Sequence, residues 1–422
     1  MFNKKIIFWY DSFDPVNCNL EHNINPSTCH TWINWPWLRG TAWLKSIHTQ
    51  ELDPADCNLF IIEDPHLEQL VKPTSATFHR SVAWLKDHPN VNILIWLASE
   101  ALDDFWPIHL KQQVLPLLQY FRGIENNIFY ISGNLHCINL FEKFKLHHHK
   151  IYPELDQFKG VYPIDYFAWK LINDISTKEE KLYRKWKYQI KKEFRYNFIN
   201  LNNVNRPHRL ALLYQLANRD LIRKNLISYC NYAPGHTFVV KNNERYYAWK
   251  IAELLGLPDF DVISFCNELN LPWLVDGDKA VSERARLVPF DLYANAYFSL
   301  ISETHCNELF ITEKTYKPIA LGHPFLVWGG AGTLAYLKQK GYKFYSAAFD
   351  ESYDDQEDPK LRLRQIVNNI QRFEKLPLFT KKILAATMNR NATHNKTKFW
   401  QKSIYDYRRD VNKIFQDIIN KS

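Results

Sequence analysis

The segment 301–332 reads ISETHCNELFITEKTYKPIALGHPFLVWGGAG, and it decides the fold of the second half of the chain. The run 315–321 has helical spacing and stops at Gly322, the residue type that most often follows the end of a helix. The apolar run 325–328 then predicts a short buried strand, and a glycine-rich turn leads into another amphipathic segment. Together these elements predict about one strand–helix unit of an α/β sheet.

Two carboxylates and a lysine of the segment 301–332 could bind a ligand. Glu303 and Glu313 lie ten positions apart, and Lys314 follows directly. A carboxylate can accept hydrogen bonds from both hydroxyls of a ribose, and a lysine at a helix start adds charge to the positive end of the helix dipole. A diphosphate would bind at that end. The pattern therefore favours a nucleotide-bearing ligand; the alternative is a Glu–Lys pair on a solvated first helical turn.

The same residues resemble the donor-site motif of the α1,3-fucosyltransferases. That motif runs Phe-Glu-Asn-Ser, a short spacer, then Tyr-[Ile/Val]-Thr-Glu-Lys; here Glu303 and the segment 310–314 (FITEK) keep the interval. Thr304 and His305 replace the Asn and Ser, and 315–318 (TYKP) replaces a Leu-Trp continuation. The run TEKTYKPIALGHPF also looks like uncharacterised glycosyltransferase-like proteins of phages, large viruses and bacteria. The resemblance implies a GT-B fold and an inverting, metal-independent transfer from a nucleotide sugar, with GDP-fucose as the family default.

A second motif precedes the first by about a hundred residues. The run 194–201 (FRYNFINL) predicts a strand, and Arg206 and Arg209 flank the start of the following helix. A strand, a loop with two arginines and a helix start together make an anion site. The fucosyltransferases have a similar strand ending in Ser-Asn, with a diphosphate-binding Arg seven positions later. Asn202 and Arg209 keep that spacing, so both motifs occur in the family's order.

The first part of the chain alternates strands and helices. Continuous apolar runs at 5–10, 57–62, 91–97 and 127–132 predict buried strands, and the helical predictions between them include 35–47. Such alternation is typical of a parallel, Rossmann-like sheet. In these sheets, ligands bind beyond the carboxyl ends of the strands.

Glu100 follows the third of these strands, in the run 95–100 (IWLASE). The run resembles the fucosyltransferase segment that ends in Glu-Ser-Pro and carries a proposed catalytic base, although Ala101 and Leu102 replace Ser-Pro here. An inverting transfer needs one carboxylate to take the proton of the attacking hydroxyl. Glu100 is the candidate base, and the alternative is a carboxylate that caps the following helix.

The basic run 178–195 predicts a connector helix, with Leu182, Trp186 and Ile190 at intervals of four. We favour burial of these three side chains against a domain; the alternatives are an anionic membrane surface and a nucleic acid. The resulting domain prediction is an N-terminal Rossmann-like acceptor-side domain at 1–165, the basic helical connector at 166–193, a Rossmann-like nucleotide-sugar donor domain at 194–375 and C-terminal helices at 376–422. By analogy with GT-B proteins, the two Rossmann-like domains face a cleft, and the last helices cross back to the first domain.

Composition narrows the class of protein. The chain has 422 residues, is 46% hydrophobic and carries a net charge of +8, which excludes a largely disordered chain and hints at an anionic partner. Its seven cysteines show no CxxC spacing, and no apolar run has the length of a signal peptide or a membrane span. These features favour a cytoplasmic protein, with a peripheral membrane contact through 178–195 as a further option.

Three short motifs have two interpretations each. The Asp-Gly-Asp at 276–278 matches an Asp-x-Asp metal motif and also a surface turn, and the histidines at 147–149 are favoured as a solvated loop over a metal site. The glycines of 329–332 suit either an approach of backbone amides to phosphates or a tight strand-to-helix turn.

The predicted function is an inverting, metal-independent glycosyltransferase that needs no cofactor beyond its nucleotide-sugar donor. We expect the donor to be a GDP-sugar and the acceptor to be a glycan or another hydroxyl compound. Glu313 binds the ribose, Lys314 and Arg209 neutralise the diphosphate, Glu303 contacts the sugar or holds the loop, and Glu100 is the base. The remaining donor-binding candidates are Asn202, Arg206 and Lys317. The rival hypotheses are a catalytically degenerate GT-B-like binding protein and a nucleic-acid-binding protein that uses 178–195.

Overall fold

The computed structural model describes residues 6–10, 42–46, 57–63, 83–97 and 126–422, apart from 192, 203–205, 224, 230–243, 259, 270 and 272–288. The chain divides into two compact units. The first unit comprises Met1–Ile164 and Arg408–Ser422, and the second unit comprises Asp165–Tyr407. Each unit contains a parallel sheet, so the predicted α/β fold class is confirmed.

The sheet of the first unit has six described strands in the order β2-β1-β3-β4-β5-β6, and every neighbouring pair is parallel. Its elements are β1 (Ile6–Tyr10), β2 (Ala42–Ser46), β3 (Cys57–Glu63), β4 (Asn92–Leu97), β5 (Ile128–Ser132), α1 (Cys137–His148), a 3-10 turn (Pro153–Gln157) and β6 (Phe158–Pro163). The four strands predicted from apolar runs are β1, β3, β4 and β5. Side chains such as Ile93, Leu94 and Tyr130 are completely or almost completely buried, as the continuous apolar runs predicted.

The helix predicted over 35–47 is wrong for the part of that range that the structure describes. Ala42–Ser46 forms β2, which pairs in parallel with β1 at the edge of the sheet. A short apolar run has no decisive period of its own, so the pairing with a neighbouring strand fixes its conformation.

The sheet of the second unit has four described strands in the order β10-β9-β7-β8, again all parallel. The strands are β7 (Tyr196–Asn202), β8 (Leu226–Tyr229), β9 (Ala296–Ser302) and β10 (Phe325–Trp328). The helices are α2 (Tyr166–Asp174), α3 (Thr177–Lys185), α4 (Pro207–Ala217), α5 (Glu244–Leu255), α6 (Val262–Glu268), the single turn α7 (Phe290–Tyr293), α8 (Glu313–Leu321), α9 (Thr333–Gln339), α10 (Pro359–Glu374) and α11 (Leu378–Lys421). All residues of β9 and β10 are buried, and Gly322 ends α8 with a φ of 75°, as the sequence predicted.

The helix predicted over 178–195 ends early. α3 stops at Lys185, and Trp186 has an extended backbone. Residues 187–191 form neither helix nor strand, and Tyr188 and Phe194 are buried, with their rings stacked 5.6 Å apart. Leu182 and Ile190 are exposed and Trp186 is half-buried, so the predicted burial of these three side chains is wrong.

The C-terminal segment is one long helix, α11. Its last part, Arg408–Ser422, belongs to the first unit, where the Tyr162 hydroxyl donates a hydrogen bond to Asp417 at 2.6 Å. The domain boundaries drawn from the sequence stay predictions. Among the described residues, every helix is too short or too polar to cross a bilayer.

Candidate functional site

The sheet of the second unit brings the two sequence motifs together. β7 and β9 are parallel neighbours, so their carboxyl ends, at Asn202 and Ser302, lie at the same edge. α4 starts shortly after β7, and Glu303 follows β9 directly. Arg209 of α4 donates a hydrogen bond to the backbone carbonyl of Glu303 at 3.2 Å. Motifs about a hundred residues apart in sequence therefore meet at the edge where such sheets bind ligands.

Glu303 is the centre of the loop 303–312. Its side chain is fully buried and accepts four hydrogen bonds. Oε1 accepts from the Thr312 amide at 3.1 Å and from the Thr315 hydroxyl at 2.5 Å. Oε2 accepts from the Thr304 amide at 3.2 Å and from the Thr312 hydroxyl at 2.5 Å. This carboxylate ties the loop to the first turn of α8, which matches the loop-holding role among the two roles considered for it.

The start of α8 presents Glu313 and Lys314 as a pair. Thr312 is the N-cap, and its hydroxyl accepts a hydrogen bond from the Lys314 amide at 3.3 Å. The Lys314 ammonium donates to Glu313 at 2.8 Å and to the Thr304 hydroxyl at 3.1 Å. Both side chains keep about a quarter or less of their surface in solvent, which orders the pair and leaves it accessible to a ligand.

Glu313 is ionised at neutral pH. Burial by itself would raise the pKa of this carboxyl, but the charges of Lys314 and Lys317 outweigh burial and lower it to about 2. Lys170 on α2 also senses Glu313, which helps to raise the pKa of that lysine against the effect of burial. The first turn of α8 thus combines a fixed negative charge with several cations.

The first turn of α4 adds two arginines. Arg209 is almost completely buried and donates to the Ser302 carbonyl at 3.4 Å as well as to Glu303. Burial, with a smaller effect of Arg206, lowers the pKa of Arg209 to about 10, so it stays charged at neutral pH. Arg206 is half-buried at the N-cap position of α4. In this structure the guanidinium of Arg209 holds the end of β9, and Arg206 is the more accessible of the two cations.

His208 lies between these arginines and is neutral. Its Nε2 donates to the Glu303 carbonyl at 2.9 Å, and its ring packs edge-on against Trp328. Burial and the charge of Arg209 hold the pKa of His208 well below its usual value. The sequence analysis did not single out this histidine, because its partners lie about a hundred residues away.

Asn202 closes the edge at the end of β7. Its amide nitrogen donates to Asn200, whose own amide nitrogen donates to the Leu300 carbonyl at 2.7 Å. The buried side-chain oxygen of Asn202 has no hydrogen-bond partner within the described part of the chain. A buried acceptor of this kind is costly unless a partner reaches it.

The glycine turn 329–332 serves packing. A Cβ at Gly330 would lie 2.1 Å from the carbonyl oxygen of Glu308, so only glycine lets this turn approach the 303–312 loop. The amides that open α9 are already used, because Asp354 accepts from Leu334 and Ala335 at 2.9 Å each. The structure therefore has the tight-turn alternative.

Two further buried contacts hold the site, and sequence reasoning missed both. Arg362 of α10 is buried and donates to the Cys306 carbonyl in the 303–312 loop. Asp165 accepts from the hydroxyls of Tyr316 at 2.5 Å and Tyr336 at 3.1 Å, behind the first turn of α8. No local pattern could have predicted these contacts, since the partners lie between 56 and 171 positions apart.

The remaining candidates are Glu100, the Asp-Gly-Asp at 276–278 and the histidines near the end of α1. Glu100 and the Asp-Gly-Asp at 276–278 lie outside the described residues. His147 and His149 lie at the exposed end of α1, where their ring nitrogens contact backbone carbonyls of the preceding turn. In the described ranges, no three His, Cys, Asp or Glu side chains are placed to hold a metal ion.

Comparison with known proteins gives only a loose structural likeness. No protein-family model matches the chain. No curated protein matches it either. An α,α-trehalose-phosphate synthase (UDP-forming) from Burkholderia vietnamiensis aligns over 96% of this chain and 98% of its own, with 8% identity and a TM-score of 0.39. The synthase from Burkholderia multivorans aligns over 97% of both chains, with 10% identity and a TM-score of 0.37. Identities and TM-scores this low indicate nothing about function.

Proposed function

We propose that the chain is an inverting, metal-independent glycosyltransferase that moves a sugar from a nucleoside-diphosphate donor to a glycan or another hydroxyl acceptor. GDP-fucose is the default donor, because the motif of Glu303 and 310–314 resembles the fucosyltransferase donor site. The second unit would bind the donor.

The observation that carries the proposal is the meeting of an ionised Glu313 with Lys314, Lys317 and Arg206 at two helix starts on one sheet edge. An ionised carboxylate can accept hydrogen bonds from both ribose hydroxyls, one at each oxygen, whereas a protonated carboxyl group carries a proton on one of these oxygens. Cations at helix starts suit a diphosphate. A solvated Glu–Lys pair on an ordinary surface helix would need neither the buried support of Glu303 nor the adjacent arginines.

In the proposed reaction, the acceptor oxygen attacks the anomeric carbon from the face opposite the leaving group. The bond from that carbon to the phosphate oxygen breaks, and its electron pair leaves with the nucleoside diphosphate. Lys314, Lys317 and Arg206 stabilise the charge that grows on the diphosphate, and the buried charge of Arg209 acts from behind them. Asn202 offers its side-chain oxygen, which has no hydrogen-bond partner among the described residues, to a donor hydroxyl or amide group.

Glu100 is the proposed base, and it would take the proton of the acceptor hydroxyl. This role rests on the resemblance of the run 95–100 to the fucosyltransferase segment. The proposed acceptor is a glycan or polysaccharide bound by the first unit. A peripheral membrane contact through 178–195 belongs to the same proposal, and the exposure of Leu182 and Ile190 is compatible with it.

The test is binding of a nucleotide panel by thermal shift and calorimetry, using GDP, UDP, ADP, CMP and TDP with their common sugars, with and without EDTA. Ligand at one hundred times its Kd stabilises the folded chain by about 2.7 kcal/mol, so a weak ligand is visible at millimolar concentration. We expect a shift with one nucleoside diphosphate that EDTA does not change.

Lys314→Ala should weaken that binding by roughly tenfold to a hundredfold, since it removes one partly buried charge from the diphosphate. Lys343→Ala is the matched control, because Lys343 is an exposed lysine of the same unit. Binding unchanged by Lys314→Ala would refute the site. No shift with any nucleotide would favour the degenerate binding protein, and salt-sensitive affinity for nucleic acid alone would favour the third hypothesis.

A further inference from the structure

A cavity of about 530 Å³ lies at the other end of β7 from the candidate site. Its lining includes Tyr196 and Asn197 at the start of β7, whereas the candidate site lies at Asn202. Six residues of strand separate the two ends by roughly 20 Å. The pocket is therefore a separate feature of the second unit, and we call it the basal pocket.

Polar groups are fixed in the wall of the basal pocket. Lys381 donates to the Asn197 side-chain oxygen and to the Glu374 carbonyl, at 2.9 Å each. The Asn197 amide nitrogen donates to the Glu374 carboxylate and so occupies one of the acceptor positions of that carboxylate. These contacts place the Lys381 ammonium at the wall of the pocket.

Tyr297 supplies a second kind of group. Its ring is almost fully buried in the wall of the pocket, and its hydroxyl has no hydrogen-bond partner within the described residues. Burial, and then the nearby Glu193 at the same pocket, raise the pKa of this phenol, so the hydroxyl is a donor at neutral pH. A buried donor without a partner is costly, and a ligand oxygen in the pocket would satisfy it.

An apolar surface borders the pocket. Leu378 lines it and opens α11, and Phe379 and Ile383 follow on the same helix. Leu378 is 46%, Phe379 75% and Ile383 52% exposed, which is unusual for three large apolar side chains within six residues. We call these three residues the apolar rim.

Positive charge surrounds both features. The cations are Arg195, Arg223 and Lys381 in the pocket wall, and Lys375 and Lys382 stand within three positions of the apolar rim in the sequence. The carboxylates beside them are Glu193 and Glu374 in the wall and Asp220, which lies 3.6 Å from Arg223. Among these described residues, five cations stand against three carboxylates, so an anionic partner is favoured. Exposed aromatic and aliphatic side chains beside such cations are typical of surfaces that lie in the interface of a bilayer.

We propose that the basal pocket and the apolar rim form a docking site for an anionic lipid bilayer. The phosphate head of a lipid would enter the pocket, accept a hydrogen bond from Tyr297 and face Arg195 and Arg223. Phe379 and Ile383 would insert among the acyl chains. This site is distinct from the candidate donor site and from the run 178–185 of α3, and it would hold the second unit at a membrane whatever sugar or nucleotide the chain uses.

The experiment is co-sedimentation of the full chain with vesicles of phosphatidylcholine alone and of phosphatidylcholine with phosphatidylglycerol. We expect binding to the anionic vesicles that weakens as salt is added. Phe379→Ser with Ile383→Ser should reduce the vesicle affinity tenfold or more, because two apolar side chains no longer leave water. Arg195→Gln with Arg223→Gln should reduce it roughly fivefold per cation.

Matched controls separate this site from general stickiness and from other surfaces. Leu146→Ser removes a side chain of the first unit that is 72% exposed, and it should leave the vesicle affinity unchanged. Circular dichroism and thermal unfolding of each variant show that the fold is kept. The nucleotide panel, repeated on the rim variants, should give the wild-type result, because the rim lies away from the donor site. The vesicle experiment does not depend on nucleotide binding, so a failure of the proposed function would not affect its outcome.

Four results would overturn the proposal. One is the absence of binding to anionic vesicles, and another is binding by the rim and pocket variants that equals binding by the wild type. The third is binding of inorganic phosphate, lost in Arg195→Gln with Arg223→Gln, without any vesicle binding, which would make the pocket a site for a soluble anion. A dimer in light scattering that Phe379→Ser dissociates, with no vesicle binding, would assign the rim to a second copy of the chain instead.

Discussion

The sharpest prediction concerns Glu303, which the structure makes the support of the candidate site. In Glu303→Gln the side chain keeps its shape, but one carboxylate oxygen becomes an NH2 group. One oxygen now faces the Thr312 amide and the Thr315 hydroxyl, and the other faces the Thr304 amide and the Thr312 hydroxyl. A hydroxyl can turn and accept, but a backbone N–H cannot. Either orientation of the glutamine therefore leaves one N–H facing another donor.

The magnitude follows from these contacts. An unsatisfied buried N–H costs about 1 to 3 kcal/mol, and the remaining hydrogen bonds lose the strengthening of an ionised acceptor, at about 0.5 to 1 kcal/mol each. Removing a buried charge recovers desolvation energy, but Arg209 then loses a nearby opposite charge, which offsets that gain. We expect the free energy of unfolding of the second unit to fall by about 3 to 5 kcal/mol.

The assay is urea unfolding followed by tryptophan fluorescence, since Trp328 is buried beside the loop. Thermal unfolding should shift by roughly 6 to 20 °C for a unit of this size. Glu357→Gln is the matched control, because Glu357 is an exposed carboxylate of the same unit and should stay within about 0.5 kcal/mol of the wild type. A loss below about 1 kcal/mol in Glu303→Gln would refute the role assigned to this carboxylate.

Two further changes test the same unit. Gly330→Ala places a methyl group against the Glu308 carbonyl and should destabilise the unit by about 2 kcal/mol or more. Gly332→Ala has open space around the new methyl group but a backbone φ of 80°, and it should destabilise the unit by about 1 kcal/mol. Equal losses of stability in urea unfolding would contradict the close approach of Gly330 to Glu308. His323 is buried, accepts from Ser299 and donates to the Ala296 carbonyl, and burial lowers its pKa to about 4. At this position the unfolded chain binds an extra proton between about pH 6.5 and 4, so His323 contributes a loss of stability of about 1.4 kcal/mol per unit of falling pH, beside a contribution of the same sign from His208. His323→Gln should reduce the slope by that amount, and an unchanged slope would show that this histidine does not titrate there.

Local sequence was sufficient for most elements of the second unit. The 3.6-residue spacing of α8, its stop at Gly322 and the apolar run of β10 each depend on residues within one segment. The same holds for the four predicted strands of the first unit. The order and parallel direction of the strands also follow from alternating elements, since a helix returns each strand in the same direction.

Long-range packing overrode local preference in two places. Ala42–Ser46 has no strong period and became a strand because β1 offered an edge to pair with. The lysine-rich run after Lys185 is not helical, and its Tyr188 hydroxyl donates to the distant Tyr297 carbonyl while the Tyr188 ring stacks on Phe194. In both cases, a contact distant in sequence supplied free energy that propensity could not.

The candidate site divides in the same way. The sequence by itself determined which residue types stand at the two helix starts, because Asn202, Arg206, Glu313 and Lys314 are marked by their spacing from a strand end or a helix start. Only the tertiary structure decided the contacts that support these helix starts. Glu303 holds the 303–312 loop, Arg209 hydrogen-bonds the residue after β9, and the glycine turn packs against Glu308. The physical reason is that charge and periodicity are properties of a segment, whereas burial, hydrogen-bond satisfaction and the field at Glu313 depend on partners that only folding brings within reach.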